Sequence, residues 1–173
     1  MDFESLIRNI PDFPKPGIQF KDITTLLKNS AAFHQVIDLW KERYQNKELD
    51  AIVGAEARGF IFGSALAYAL NLPFVPVRKP GKLPAATLSE SFELEYGTDT
   101  LEIHADALSQ GNKVVLIDDL LATGGTMAAI CRLMERMGVQ VVEIAFLIEL
   151  LPLKGRQRLE PYPVHSLVQT MLA

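Results

Sequence analysis

At 173 residues the chain has room for one domain with a full core and too little for two ordinary ones. A content of 49% hydrophobic and 22% charged residues is that of a globular protein, and a formal net charge of −4 argues against nucleic acid or an anionic membrane as partner. Any positive field has to be local to a site. No apolar run is long enough to cross a bilayer, the start Met1-Asp2-Phe3-Glu4 is acidic where a secretory leader is basic, and the single cysteine, Cys131, forms no internal disulfide, which together predict a cytoplasmic protein. Cys131 lies within a helical pattern with no histidine near it in sequence and reads as a small buried hydrophobe. His34, His104 and His165 are scattered without ligand spacing, so no metal site is assigned to them.

In chain order, Phe3, Leu6, Ile7 and Ile10 predict a short amphipathic helix from Phe3 to Ile10, stopped by Pro11. Pro11 to Gly17 is proline-rich and reads as a stiff loop, leading into a short extended piece from Ile18 to Thr24. Ser30 is placed to cap a helix from Ala31 to about Tyr44, with Phe33, Val36, Ile37, Trp40 and Tyr44 as its buried stripe. Ala51 to Gly54 is a buried strand. It runs through Ala55-Glu56-Ala57-Arg58-Gly59-Phe60 into a helix from Ile61 to Leu70. A helix N-terminus with an arginine at its mouth suits phosphate oxygens; the alternative for Arg58 is a surface ion pair.

Leu72 to Val77 reads as a strand whose prolines favour its ends or a sheet edge. The densest basic cluster follows, with Arg78, Lys79 and Lys82 set among prolines and glycine, and the stretch to Glu90 has no hydrophobic period. It reads as a mobile loop carrying cations, or else as a solvated face. From Ser91, Phe92, Leu94 and Tyr96 alternate with Glu93 and Glu95 up to Gly97, and a return strand at Thr100 to Ile103 makes a hairpin. On periodicity alone Glu95 is a solvent-side residue.

The centre of the sequence is Val114-Val115-Leu116-Ile117, a strand buried on both faces of a parallel sheet, ending on Asp118 and Asp119. Ala122-Thr123-Gly124-Gly125-Thr126 then opens a helix from Met127 to Met137, with Ile130, Leu133, Met134 and Met137 on one stripe. Free N–H groups, the positive end of the helix dipole and two hydroxyls suit a phosphate in that loop. The neighbouring carboxylates are acceptors only and suit sugar hydroxyls or a hydrated metal. The stretch is neither a Walker A loop nor a dinucleotide fingerprint. Gly138 ends the helix, Val139 to Leu150 is a long strand, Lys154 to Arg158 a short polar helix or turn, and Val164 to Val168 an edge strand. Alternating strands and helices predict one α/β domain around a mostly parallel sheet.

The acid pair followed by Thr-Gly-Gly-Thr resembles the phosphoribosyl diphosphate signature of the type I phosphoribosyltransferases, and the flanking Leu-Leu-Ala is similar to the members that act on adenine. Three further motifs match in order: Pro16-Gly17 to Ile23, the segment at Glu56-Ala57-Arg58, and Arg78 to Pro84 with Leu94 to Gly97 beyond it. The resemblance implies one domain over residues 1–173, with a base-binding hood at about 1–28 and a flexible catalytic loop at about 79–100.

It further implies transfer of ribose 5-phosphate from 5-phosphoribosyl 1-diphosphate to N9 of adenine, giving AMP and diphosphate in purine salvage. The ribose 5-phosphate would lie against Asp118, Asp119 and Ala122, Thr123, Gly124, Gly125 and Thr126. Diphosphate would lie against Glu56, Ala57, Arg58, Arg78, Lys79 and Lys82, and adenine against Gln19, Phe20, Lys21, Glu95 and Leu120. Phe20 would stack on the purine, although its local pattern reads as a core anchor, and Lys21 stands where the family usually has arginine. Glu95, Arg58 and Lys82 are the implied catalytic residues. Mg²⁺ enters through substrate and water rather than on protein side chains, the dipeptide Glu56-Ala57 is where the family often has a cis peptide, and a homodimer is implied. Enzymes for other purines would differ in the base pocket. A sensor without turnover would need an appended nucleic-acid-binding module, for which this acidic chain has no room.

Overall fold

The computed structural model describes residues 1–94 and 96–172. The chain starts with a 3₁₀ turn, Glu4–Leu6, and strand β1, Arg8–Pro11, instead of the helix expected over Phe3 to Ile10. Non-local pairing overrides the helical spacing. β1 lies antiparallel to β2, Gln19–Asp22, and Arg8 forks onto Asp22 through Nε at 3.0 Å and Nη2 at 2.5 Å. After the one-turn helix α1, Thr24–Leu27, comes α2, Ser30–Tyr44. Its cap is Asn29, whose side chain accepts from the Ala32 N–H at 3.1 Å, so the helix begins one residue before the expected Ala31 and Ser30 is its first residue rather than its cap.

β3, Ala51–Ala55, leads to α3, Arg58–Leu70, and β4, Phe74–Val77. β5, Thr87–Glu93, and β6, Thr98–His104, form an antiparallel hairpin. β5 therefore begins inside the stretch expected to be irregular up to Glu90. It is held by cross-strand pairing and by Arg132 and Arg136, which both pair with Glu90. The strand ends at Glu93, so Leu94 and Tyr96 belong to the turn and not to an alternating strand. β7, Lys113–Leu121, α4, Gly125–Met137, β8, Gln140–Leu150, two 3₁₀ turns at Leu151–Leu153 and Gly155–Leu159, and β9, Val164–Thr170, complete the chain.

Five strands make one parallel sheet in the order β4-β3-β7-β8-β9, with the proline-bearing β4 and the C-terminal β9 at its edges, as expected. The central strand is buried on both faces. Val114 and Leu116 pack with Ile130, Leu133 and Met134 of α4, while Val115 and Ile117 pack with Val36, Trp40, Phe62 and Leu66 of α2 and α3. Period-two side chains on β7 thus feed two apolar layers, which is why the segment reads as a continuous hydrophobic run.

One polar cluster ties α2 to the sheet. Arg43 donates to Glu143 through Nε at 2.6 Å and Nη2 at 3.1 Å, and the buried Tyr44 hydroxyl donates to the same carboxylate at 2.8 Å. Burial pushes the Glu143 carboxyl up, but the Arg43 and Tyr44 hydrogen bonds outweigh it and hold the pKa below its ordinary 4.5. A lowered folded-state value means that this stabilisation is complete above the unfolded value and fades as pH falls through the folded one. Tyr44→Phe is expected to cost about 1.5–3 kcal/mol in urea unfolding at neutral pH, with the difference from wild type shrinking on acidification below the ordinary carboxylate range.

Candidate active site

The chain leaves β3 toward β4 on one side and reaches β7 on the other, so the carboxyl ends of β3 and β7 bound a crevice where the strand order reverses. Open α/β sheets bind ligands at such a point. β7 runs through Asp118 and Asp119, its expected end, on to Leu121, because β8 is long enough to pair with it that far. Asp119 is buried and Asp118 half-buried, and the Asp119 N–H donates to Asp118 Oδ1 at 2.8 Å. Burial, then the adjacent charge of Asp119, raises the Asp118 pKa well above the usual carboxylate range, with Arg58 opposing.

Beyond the acids, Ala122 to Thr126 bends into α4. A cavity of about 210 Å³ is lined by Arg58, every residue from Asp118 to Met127, and Phe146. Gly124 takes a left-handed φ of 88°, α4 starts at Gly125, and no side chain caps its first turn. Uncapped N–H groups at a helix start suit an anion, and the residues that carry them here line the cavity. The loop rests on the 3₁₀ turn behind it: a Cβ on Gly155 would stand 2.3 Å from the Ala122 carbonyl oxygen, and one on Gly124 2.6 Å from the Gly155 carbonyl oxygen. Two backbones touch there, and neither position has room for a side chain. The turn is clamped by Arg156, which donates to the buried Glu149 through Nε at 2.9 Å and Nη2 at 2.6 Å, and to the Val164 carbonyl at 2.7 Å. This support is missed from sequence, where the glycine inside Lys154 to Arg158 is its only trace.

Across the crevice, α3 begins at Arg58, three residues earlier than the expected Ile61. The Glu56–Ala57 peptide is cis. α3 comes close to β7 at Gly59, where a Cβ would lie 3.0 Å from both Asp118 Oδ1 and the Ile117 carbonyl oxygen. That approach sets Arg58 beside the acids: its Nε lies 2.9 Å from Asp119 Oδ2, an ion pair without hydrogen-bond alignment, since that oxygen has no hydrogen-bond donor. The guanidinium also lies 5.2 Å from the centre of the Phe20 ring. Arg78 donates through Nε to Glu56 Oε1 at 2.6 Å and sits 5.9 Å from the Phe60 ring.

The hood joins the crevice through Phe20, which is half-buried and packs edge-on against Phe13 at 5.1 Å, so it is not the core anchor its local pattern allows. Gln19 accepts from Asn9 Nδ2 at 2.7 Å. Strand alternation turns Lys21 the other way. It is buried and lines a small recess with Ile7, Ile148, Val168 and Thr170, apart from the cavity that Leu120 lines. Lys79 and Lys82 are exposed, with no carboxylate at ion-pair distance among the described residues. Their loop is held by Glu102, another residue sequence reading passes over, which accepts from the Gly81 N–H at 2.8 Å. Glu95 lies outside the described residues. Cys131 is buried, and burial pushes its thiol pKa up to about 12, as suits an inert core residue.

The model of the phosphoribosyl transferase domain matches residues 22–169. The adenine phosphoribosyltransferase of Chloroflexus aurantiacus is 63% identical over 168 residues, 97% of either chain. The crystal structure of adenine phosphoribosyltransferase from Thermoanaerobacter pseudethanolicus superposes with a TM-score of 0.94 at 53% identity, covering 98% of both chains. That of Saccharomyces cerevisiae, complexed with an imino-altritol bisphosphate and adenine, gives a TM-score of 0.90 at 40% identity over 95% of this chain and 96% of the other. The fold and crevice are those of a phosphoribosyltransferase. Within that class the chain belongs to the adenine phosphoribosyltransferase family.

The paired acids give a pH test. Carboxyl-carbon NMR is expected to show Asp118 titrating above the ordinary carboxylate range, and Asp119→Asn, which removes the neighbouring negative charge, is expected to move that titration down.

Proposed function

We propose a role for each part of the crevice in the reaction of this family. That reaction moves ribose 5-phosphate from 5-phosphoribosyl 1-diphosphate to N9 of adenine, releasing AMP and diphosphate, and this chain is such a purine salvage enzyme. The observation that carries the assignment of roles is one cavity in which a carboxylate pair, an uncapped helix N-terminus and Arg58 converge.

In this reading the 5-phosphate lies in Ala122, Thr123, Gly124, Gly125 and Thr126, held by N–H groups and hydroxyls. Asp118 and Asp119 take the ribose hydroxyls, and their charge favours the cation that grows on the ring as the C1–O bond loosens. Arg58 leaves Asp119 for the diphosphate, joined by Glu56, Ala57, Arg78, Lys79 and Lys82; the two exposed lysines, without a carboxylate partner among the described residues, support this part. Adenine stacks on Phe20 and is read by the main chain at Gln19 and Lys21 and by Leu120. The inward turn of the Lys21 side chain supports a main-chain contact there. Glu95 accepts a proton from, or hydrogen-bonds to, adenine N7, and so raises the nucleophilicity of N9. The hood at about 1–28 and the loop at about 79–100 close over the substrates and exclude water.

Magnesium fits in hydrated form: Asp118 and Asp119 are acceptors suited to its water shell, and Asp119 Oδ2 is buried with no hydrogen-bond donor among the described residues. Among the described residues no three His, Cys, Asp or Glu cluster to hold an ion, so its ligands would come from the ribose, the diphosphate and water. When bound, it would neutralise charge on the leaving diphosphate. No helix among the described residues is long and apolar enough to cross a membrane, and a lone buried thiol suits the cytoplasm we assign. The outer face of α3, with Tyr68 89% exposed, offers apolar surface for a homodimer.

Incubation with labelled 5-phosphoribosyl 1-diphosphate is expected to give labelled nucleotide with adenine and none with guanine, hypoxanthine or xanthine; turnover of another purine at an equal rate would overturn the base assignment. Glu95→Gln is expected to lower kcat by about 10²-fold or more, with a smaller change in KM, and an unchanged kcat would remove Glu95 from the chemistry.

A further inference from the structure

The 3₁₀ turn behind the phosphate loop carries two arginines in unlike settings. Arg156 is consumed by Glu149 and the Val164 carbonyl. Arg158 is exposed and has no carboxylate at ion-pair distance among the described residues, whereas Arg132 and Arg136 close by are both paired with Glu90. Its side chain runs along the start of α4: Arg158 Cβ lies 3.3 Å from where a Cβ on Gly124 would stand, and Nη1 lies 3.4 Å from the corresponding point on Gly125. It lines a cavity of about 460 Å³ with Thr123, Gly125 and Thr126 on one side and Phe92, Glu93 and Leu94 at the end of β5 on the other. The backbone contact between Gly155 and the loop leaves the base of this side chain little freedom to move away.

Ala122 to Thr126 contains donors but no cation, and a helix N-terminus contributes only about half a positive charge toward a phosphomonoester dianion. A guanidinium beside that loop, with no carboxylate partner among the described residues, supplies the missing charge in a planar fork that matches phosphate oxygens. We propose that Arg158 is a further substrate-binding residue, gripping the 5-phosphate from the side opposite Asp118 and Asp119. The proposal rests on the reading of Ala122 to Thr126 as the 5-phosphate loop.

The test is calorimetric titration of the full chain with ribose 5-phosphate, which carries the monoester but no diphosphate, and separately with inorganic diphosphate. Arg158→Gln is expected to weaken ribose 5-phosphate by about tenfold and to leave diphosphate affinity within about twofold, while Arg158→Lys recovers part of the loss. Equal loss for both ligands would mark a merely structural role and overturn the proposal. So would ribose 5-phosphate affinity within about twofold of wild type in Arg158→Gln. Thr126→Ala, measured in the same series, separates the two readings. A loss there without one in Arg158→Gln overturns Arg158 alone, and no loss at Thr126 overturns the loop assignment itself.

Discussion

The ion pair of Arg58 with Asp119 spans the crevice between β3 and β7, and the arrangement of the site depends on it. A carboxylate as buried as Asp119 is costly unless compensated, and here the compensation comes from a different strand–helix unit of the fold. Two conditions make it possible: β7 must extend past Ile117 so that the acids face the crevice, and α3 must approach β7 closely enough at Gly59 to bring its first residue there. A carboxylate whose partner is the arginine of the opposite loop is poised to exchange that partner for ligand hydroxyls without being left unpaired.

The same device occurs on both sides of the crevice. A buried parallel strand ends, the chain turns tightly, and a helix begins with unsatisfied N–H groups, once at Arg58 and once at Gly125. Uncapped helix starts suit anions in general, which is the basis of the proposed placement of a pentose carrying phosphate at both ends. The two starts are supported differently. The first is tied to the rim by Arg78 on Glu56, and the second rests by backbone contact on the turn that Glu149 and Arg156 clamp. Such contacts leave little room to relax, which suits a cradle that must be formed before the ligand arrives.

Much of this is legible in the linear chain where it depends on neighbours in sequence. The run Val114 to Ile117, the acids and the glycine loop follow one another, and their chemistry is stated by residue type and order. The strands flanking them, the edge position of β4 and the helix ending at Gly138 also follow from local pattern. The N-terminal segment does not. Phe3, Leu6, Ile7 and Ile10 have helical spacing, yet Arg8 to Pro11, Ile10 among them, pair as a strand with β2, because eight residues of periodicity weigh less than a ladder closed by Arg8 and Asp22. Thr87 to Glu90 likewise shows no hydrophobic period but becomes strand through β6 and through arginines more than forty residues away.

By itself the sequence determined the class of fold, the two strand-turn-helix bends we propose as anion sites and the acids between them, because each is written in contiguous residues whose geometry is set by strand, turn and helix rules. Only the tertiary structure decided that Arg58 faces Asp119 and Phe20, that Lys21 turns away from Phe20's side, and that Gly155 and Arg158 stand behind the loop from Ala122 to Thr126. These contacts join residues separated by tens of positions, and they arise from the order in which strands enter the sheet, which residue types along the chain do not encode locally.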